Sequence, residues 1–355
     1  MLKTVEVPLA GHPDKVCDQI VEALLDEYLR RDPKSRVSLK ACGSHGMLMI
    51  AGTVDSKADF DASSIAKKVY KEIGYTDDLE PFINIERPSE DLARRIVSGG
   101  AQGTCVVYGY ATKETREMLP RSLVYASSLA RRVDDLRKHD PMFSFLKPDG
   151  KIQLTMDGER VVAVTLLVQH TREIQQPQIQ SAILSQAIEP ILGATDGVQV
   201  FINSSGSFET GGFMASAGAS GRKVLSDTYG GLLPYGGAAF IGRDPLRPSR
   251  AATYMSRHVA KQLVARGLAG NVLVHASYAI GRSEPVCLEV KTGKGEDLSE
   301  LVKEEFDFRP EAIVERLDLQ KPVYQALATY GQFGRDEVSW ERTEKKGAVD
   351  NSSES

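Results

Sequence analysis

GHPDKVCDQI, residues Gly11–Ile20, opens an amphipathic run with its most polar chemistry in the first turn. From Val16 to Leu29 the apolar residues Val16, Ile20, Val21, Leu24, Leu25, Tyr28 and Leu29 fall at the spacing of a helix with one buried face. Pro13 suits the first helical turn, where its missing N–H costs nothing. His12 and Asp14 then lie at the positive end of the helix dipole. Capping alone explains their location; it accounts less well for His, Asp and Lys together.

Outward from this helix, RVSLKAC (Arg36–Cys42) and MLMIAGTV (Met47–Val54) read as strands of a hairpin joined by a Gly-containing turn. Val37, Leu39 and Ala41 share one face, leaving Ser38, Lys40 and Cys42 on the other. A helix is expected at 59–73, a strand at 104–111 and a long helix at 120–138. Two strands, KIQLTM and RVVAVTLLVQH, flank a turn at Asp157–Gly158, with KPDGK (Lys147–Lys151) reading as an ordinary turn before them. A helix at 176–192 and a short strand, VQVFI, follow. Pro248–Arg266 reads as an amphipathic helix, and strands are expected at 271–278 and 285–290. Strand pairs and a helix recur roughly three times, which suggests α+β units with helices on one face of each sheet. The tail from Glu344 to Ser355 is polar and reads as disordered.

Composition narrows the function. A net charge of −4 and a pI near 6.0 argue against a general nucleic-acid binder. No stretch suits a signal peptide or a membrane helix. Cys17, Cys42, Cys105 and Cys287 are scattered, which suits a reducing cytoplasm and argues against a zinc site. The Gly/Ser-rich stretch Asn203–Lys223 reads equally as a surface loop or as a phosphate cradle ending in Arg222 and Lys223. Arg243, Arg247 and Arg250 add three cations among glycines and prolines, where a merely solvated face is the plain alternative.

In combination the pieces are specific. GHPDKVCDQI, YGYATKET, KPDGKIQLT, GASGRKVLSDTYGG, FIGRDP, SYAIGRSEPV, FDFRPEAIVERLDL and YGQFGR occur in this order. The chain resembles the S-adenosylmethionine synthase (methionine adenosyltransferase) family of the bacterial and eukaryotic type, from about Gly11 to Trp340. The resemblance implies an α+β fold of three similar subdomains in pseudo-threefold arrangement, built from non-consecutive segments into a single unit over 1–343. It implies a cytoplasmic homodimer with active sites between subunits, often paired into a tetramer, with no nucleic-acid or membrane partner. The implied reaction moves the adenosyl group of ATP to a sulfur and releases tripolyphosphate. A thioether carries no proton, so no general base is needed; the difficulty is expelling the triphosphate, which calls for fixed positive groups. By resemblance His12 meets the departing oxygen, and Lys151, Arg222, Lys223, Arg243 and Arg247 clamp the phosphates. Asp14 holds magnesium, Phe208 stacks on adenine, Ile280 lines the same pocket, and Asp149 and Ser216 complete the nucleotide site.

The departures from the family pattern share a direction. Ala10, Thr53, Ala101, Ser216 and Ser249 stand where the family has acids, and Lys40 replaces its potassium-associated Glu. Arg243 and Arg247 replace lysines, Ser207 replaces an Arg, and the loop Arg87–Val97 is shorter. An ammonium at Lys40 can stand in for potassium, and Ser249 suggests fewer Mg2+ ions. Thr53 and Ala101 remove the carboxylates expected to hold the ammonium of methionine, unless Asp55 or Glu209 substitutes. Three readings follow: an adenosyltransferase acting on methionine or on an acceptor without an α-ammonium; an enzyme that only cleaves ATP or tripolyphosphate; and a silent subunit regulating an intact synthase. The retained His12, Asp14, Lys151, Arg222 and Lys223 favour the first.

Overall fold

The structure, a computed structural model, describes residues 2–89 and 100–343. The tail expected to be disordered (344–355) and most of the shortened loop lie outside the described residues. Eleven strands are described: β1 (Leu2–Pro8), β2 (Arg36–Ser44), β3 (Met47–Asp55), β4 (Glu80–Glu86), β5 (Cys105–Thr112), β6 (Leu146–Asp157), β7 (Arg160–His170), β8 (Gln199–Ile202), β9 (Gly218–Ala219), β10 (Asn271–Tyr278) and β11 (Cys287–Thr292). The longer helices are α1 (Pro13–Arg31), α2 (Ala62–Ile73), α3 (Arg121–His139), α4 (Gln176–Ile183) and α5 (Pro248–Ala265).

The strands form three sheets, in the orders β1-β6-β7-β8, β11-β10-β5 and β4-β3-β2-β9. Each sheet recruits strands from distant parts of the chain, so the three-part α+β architecture is built from non-consecutive segments as expected. The β2–β3 hairpin pairs in the register predicted by its alternation, with Val37, Leu39 and Ala41 buried and Lys40 outward.

Three local readings change. KPDGK is no turn: it lies inside β6, and a register shift between Leu146 and Gly150 lets that segment irregularly leave and rejoin the β7 ladder. The helix expected over 176–192 is interrupted at Leu184–Ile188 by a wider turn before resuming at Glu189–Leu192. α5 is buried on both sides, because its polar face meets carboxylates rather than water. Arg257 and Lys261 share the buried Glu341, and Arg250 meets Glu22 at 2.5 Å. Trp340 stacks on Tyr254 at 4.0 Å and seals that side.

The helix opened by GHPDK organises the molecule through its acids. Asp14, Asp18, Glu22 and Asp26 recur every fourth residue, on one face of α1. Each accepts backbone N–H groups from elsewhere in the chain: Asp14 and Asp18 from Ala219 and Gly221 of one turn, Glu22 from Gly242, and Asp26 from Tyr324 and Gln325. One helix thereby fixes two glycine-bearing turns, one at 219–223 and one at 240–244.

Candidate active site

His12 caps α1: its Nδ1 accepts the Asp14 N–H at 3.2 Å. A ring nitrogen that accepts carries no proton, so the neutral tautomer leaves Nε2–H as the free donor. Burial, reinforced by the neighbouring Lys223 ammonium, pushes the imidazole down to about 4. His12 is thus a neutral hydrogen-bond donor near pH 7.

Asp14 lies beneath it, 1% exposed. Burial alone would raise its pKa, but hydrogen bonds from Lys223 and the Ala219 amide outweigh that and lower it. Arg222 Nη1 stands 3.6 Å from the same carboxylate. One buried acid therefore draws the Arg-Lys pair of the glycine-rich loop onto the first turn of α1. Lys15, 1% exposed, bridges Asp18 at 2.8 Å and Asp227 at 2.6 Å, tying the far end of that loop to the same helix. Gly218 must be glycine, because a Cβ there would lie 2.2 Å from the Pro13 carbonyl oxygen. Lys151 reaches the cluster from β6 and pairs with Glu6 at 3.0 Å, both half-exposed.

Asp149 points inward rather than at open space. Its carboxylate accepts the Gly212 N–H at 2.8 Å, and burial pushes its pKa up to about 6. It anchors the loop bearing Phe208, whose backbone exchanges hydrogen bonds with His170. Phe208 is half-buried and Ser216 exposed on that loop.

Asp149 carries a stability prediction. A carboxyl whose folded pKa lies above its unfolded value of 3.8 loses folded-state preference as it ionises. Stability should therefore fall by about 3 kcal/mol as pH rises from roughly 4 to 6. Asp149→Asn keeps an oxygen for Gly212 and cannot ionise. Chemical denaturation at pH 4 and pH 7 should show the variant more stable than the parent at pH 7 and nearly equal at pH 4. Equal stabilities at both pH values would contradict the assignment.

Arg243, Arg247 and Ile280 belong to a second group. Arg247 donates to the Gln102 carbonyl at 3.3 Å and lies 3.5 Å from Asp244. The preceding residue, Ala101, exchanges backbone bonds with Gly281 and Arg282, which places Ile280 beside it, 42% exposed. Arg243 is pushed below the usual guanidinium range by burial and by Arg247. These contacts thus join His12, Asp14, Arg222 and Lys223, with Lys151 alongside, in one cluster and Arg243, Arg247 and Ile280 in another. Glu209 is paired with Arg172 at 3.0 Å, whereas Asp55 ends β3 exposed, on the face of Thr53.

Sequence reasoning found the cations and Asp14, but not the acids further along α1. Asp18, Glu22 and Asp26 at fourfold spacing were the available signal, hidden because such a stripe reads as a solvated helix face. Among the described residues no cluster of three His, Cys, Asp or Glu side chains is arranged to hold a metal, and no helix is long and apolar enough to cross a membrane.

Three sheets, with a histidine at the start of α1 beside the Arg222–Lys223 pair, define an α+β architecture with a polar, cation-rich cluster at one helix end. The comparisons make the class specific: residues 1–87, 98–208 and 210–342 match the N-terminal, central and C-terminal domains of S-adenosylmethionine synthetase. An S-adenosylmethionine synthase of Sorangium cellulosum (strain So ce56) is 40% identical, over 96% of this chain and 87% of the relative. One of Helicobacter hepaticus is 40% identical over 98% and 97%, and one of Petrotoga mobilis 36% identical over 97% of each. The chain belongs to the S-adenosylmethionine synthetase family, and it is an enzyme of the methionine adenosyltransferase type.

Proposed function

We propose that this chain displaces tripolyphosphate from the C5′ carbon of ATP by a sulfur nucleophile, with methionine, or a thioether lacking its α-ammonium, as acceptor. One observation carries the reading: Asp14 gathers Arg222 and Lys223 beside His12, at the positive end of α1. The leaving oxygen gains negative charge only as the C5′–O bond breaks. His12 Nε2–H meets that charge, while Lys151, Arg222 and Lys223 hold the phosphates. Arg243 and Arg247 grip phosphate oxygens from the second cluster, bidentately where lysine would give a point contact. Phe208 and Ile280 enclose adenine, and Asp149 and Ser216 shape the loop beneath it.

The two clusters suit a site completed across a homodimer. Met47, Met49 and Phe82 lie exposed on one face of the β2–β3–β4 sheet, an apolar patch suited to a subunit interface, with tetramers from further pairing. Asp14 is a single carboxylate already engaged by Lys223, so it fits magnesium only as one protein ligand of an ion that keeps waters and phosphate oxygens. Such an ion, when bound, would supply neutralisation of phosphate charge. Lys40 in place of a carboxylate leaves no evident need for potassium. The reading places the enzyme in the cytoplasm.

Incubation with ATP, magnesium and methionine, followed by mass spectrometry, tests this. We expect S-adenosylmethionine, or an adenosylated product once a thioether without the ammonium replaces methionine, at rates equal in potassium and in tetramethylammonium buffer. Phosphate release with no adenosylated product would favour ATP cleavage alone. No turnover, with capture of an intact synthase, would favour a silent subunit.

A further inference from the structure

The outer edge of β2 is covered by two different segments. At Ala41–Gly43 it pairs with β9 and Ser220, the approach to the Arg222–Lys223 turn. At Val37–Leu39 it bonds to Gly242, Arg243 and Asp244, the turn of the second cluster. Lys40 stands at the seam between them. Its ammonium lies 3.2 Å from where a Cβ of Gly221 would be, and Ala239 closes the other side of that glycine.

This seam holds more positive charge than the protein neutralises. Lys223 and Arg222 share Asp14, and Lys15 has Asp18 and Asp227. Lys40 makes no ion pair among the described residues, and the acids whose charge acts on it, Asp18 and Glu22, already receive the Gly221 and Gly242 amides. Arg243 Nε has no hydrogen-bond partner among those residues. Cations left facing one another raise the energy of the free protein and are relieved when an anion enters between them.

We infer that Lys40 is a further polyphosphate-binding residue, which stands beside the Arg222–Lys223 turn at the edge of β2. The inference rests on the proposed phosphate site and adds a residue to it. It also predicts a sign: Lys40 should weaken the free fold slightly and strengthen the complex.

The test is equilibrium binding of inorganic tripolyphosphate to the full chain, with thermal unfolding measured without ligand. Lys40→Met should weaken tripolyphosphate binding about tenfold to a hundredfold while leaving the free protein's Tm unchanged or higher. Lys40→Arg should restore most of the binding, and Lys68→Met, on exposed α2, should change nothing. Binding within twofold of the parent would overturn the inference. So would a lowered Tm with unchanged binding, which marks a structural lysine, or a loss confined to the acceptor KM, which would place the ammonium against the acceptor. Should the unaltered chain fail to bind tripolyphosphate, the phosphate site itself is wrong, and Lys40 falls with it.

Discussion

Replacing His12 with Asn should lower kcat by about a hundredfold to a thousandfold while changing ATP affinity less than tenfold. The choice of Asn separates two jobs. As the N-cap, His12 accepts the Asp14 amide through Nδ1, and Asn is among the best residues at that position. The variant therefore keeps the cap and loses only the Nε2–H donor above the cradle. His12→Ala loses both, and should add a stability cost of about 1 kcal/mol. The donor meets a charge that exists only as the C5′–O bond breaks, so its loss falls on kcat. Ground-state affinity comes instead from Lys223, Arg222 and Lys151. Single-turnover kinetics with direct ATP titration would settle the division. A large rise in the ATP dissociation constant with little change in kcat would show that His12 binds substrate rather than assisting departure.

Replacing Glu22 with Ala should destabilise the fold by about 3–5 kcal/mol, because it leaves the Arg250 guanidinium buried without its carboxylate. Arg250 is fully buried, and its remaining partners are neutral: the carbonyls of Arg243 and Phe240, and the Tyr254 hydroxyl. Domains are commonly stable by about 5–15 kcal/mol, so this one change removes a large share. It should also impair activity in whatever fraction stays folded, since Glu22 accepts the Gly242 amide next to Arg243. Exchanging both partners, Glu22→Met with Arg250→Met, should recover much of the stability, because an apolar pair leaves no stranded charge. Urea denaturation of the two single variants and the double gives the coupling directly. Additive losses would mean that the two residues act independently, against the network described.

The sequence carried the site's cations more openly than their supports. The start of α1 was legible from Pro13 and the apolar spacing after it, and the β2–β3 hairpin from its alternation. β1 and β4 went unread for different reasons. β1 finds its partner only in β6, far along the chain, and β4 pairs parallel with β3 only after α2 has crossed over. KPDGK looked like a turn because Pro, Asp and Gly favour turns, yet Gly150 and Lys151 pair with β7 while Pro148 and Gly150 accept the Gly11 and Leu9 amides, which holds it extended. Arg250 could be read as part of a solvated face, since nothing local to α5 reveals Glu22 waiting across the core. Tertiary pairing of charges lies beyond what local spacing encodes.

The most direct measurement of the central claim is a crystal structure of the complex with a non-hydrolysable ATP analogue and magnesium. The account predicts the phosphate chain within hydrogen-bonding distance of His12 Nε2 and the Lys223 ammonium, at the first turn of α1. A phosphate chain seated elsewhere, with Lys223 still paired only to Asp14 and His12 facing solvent, would contradict it.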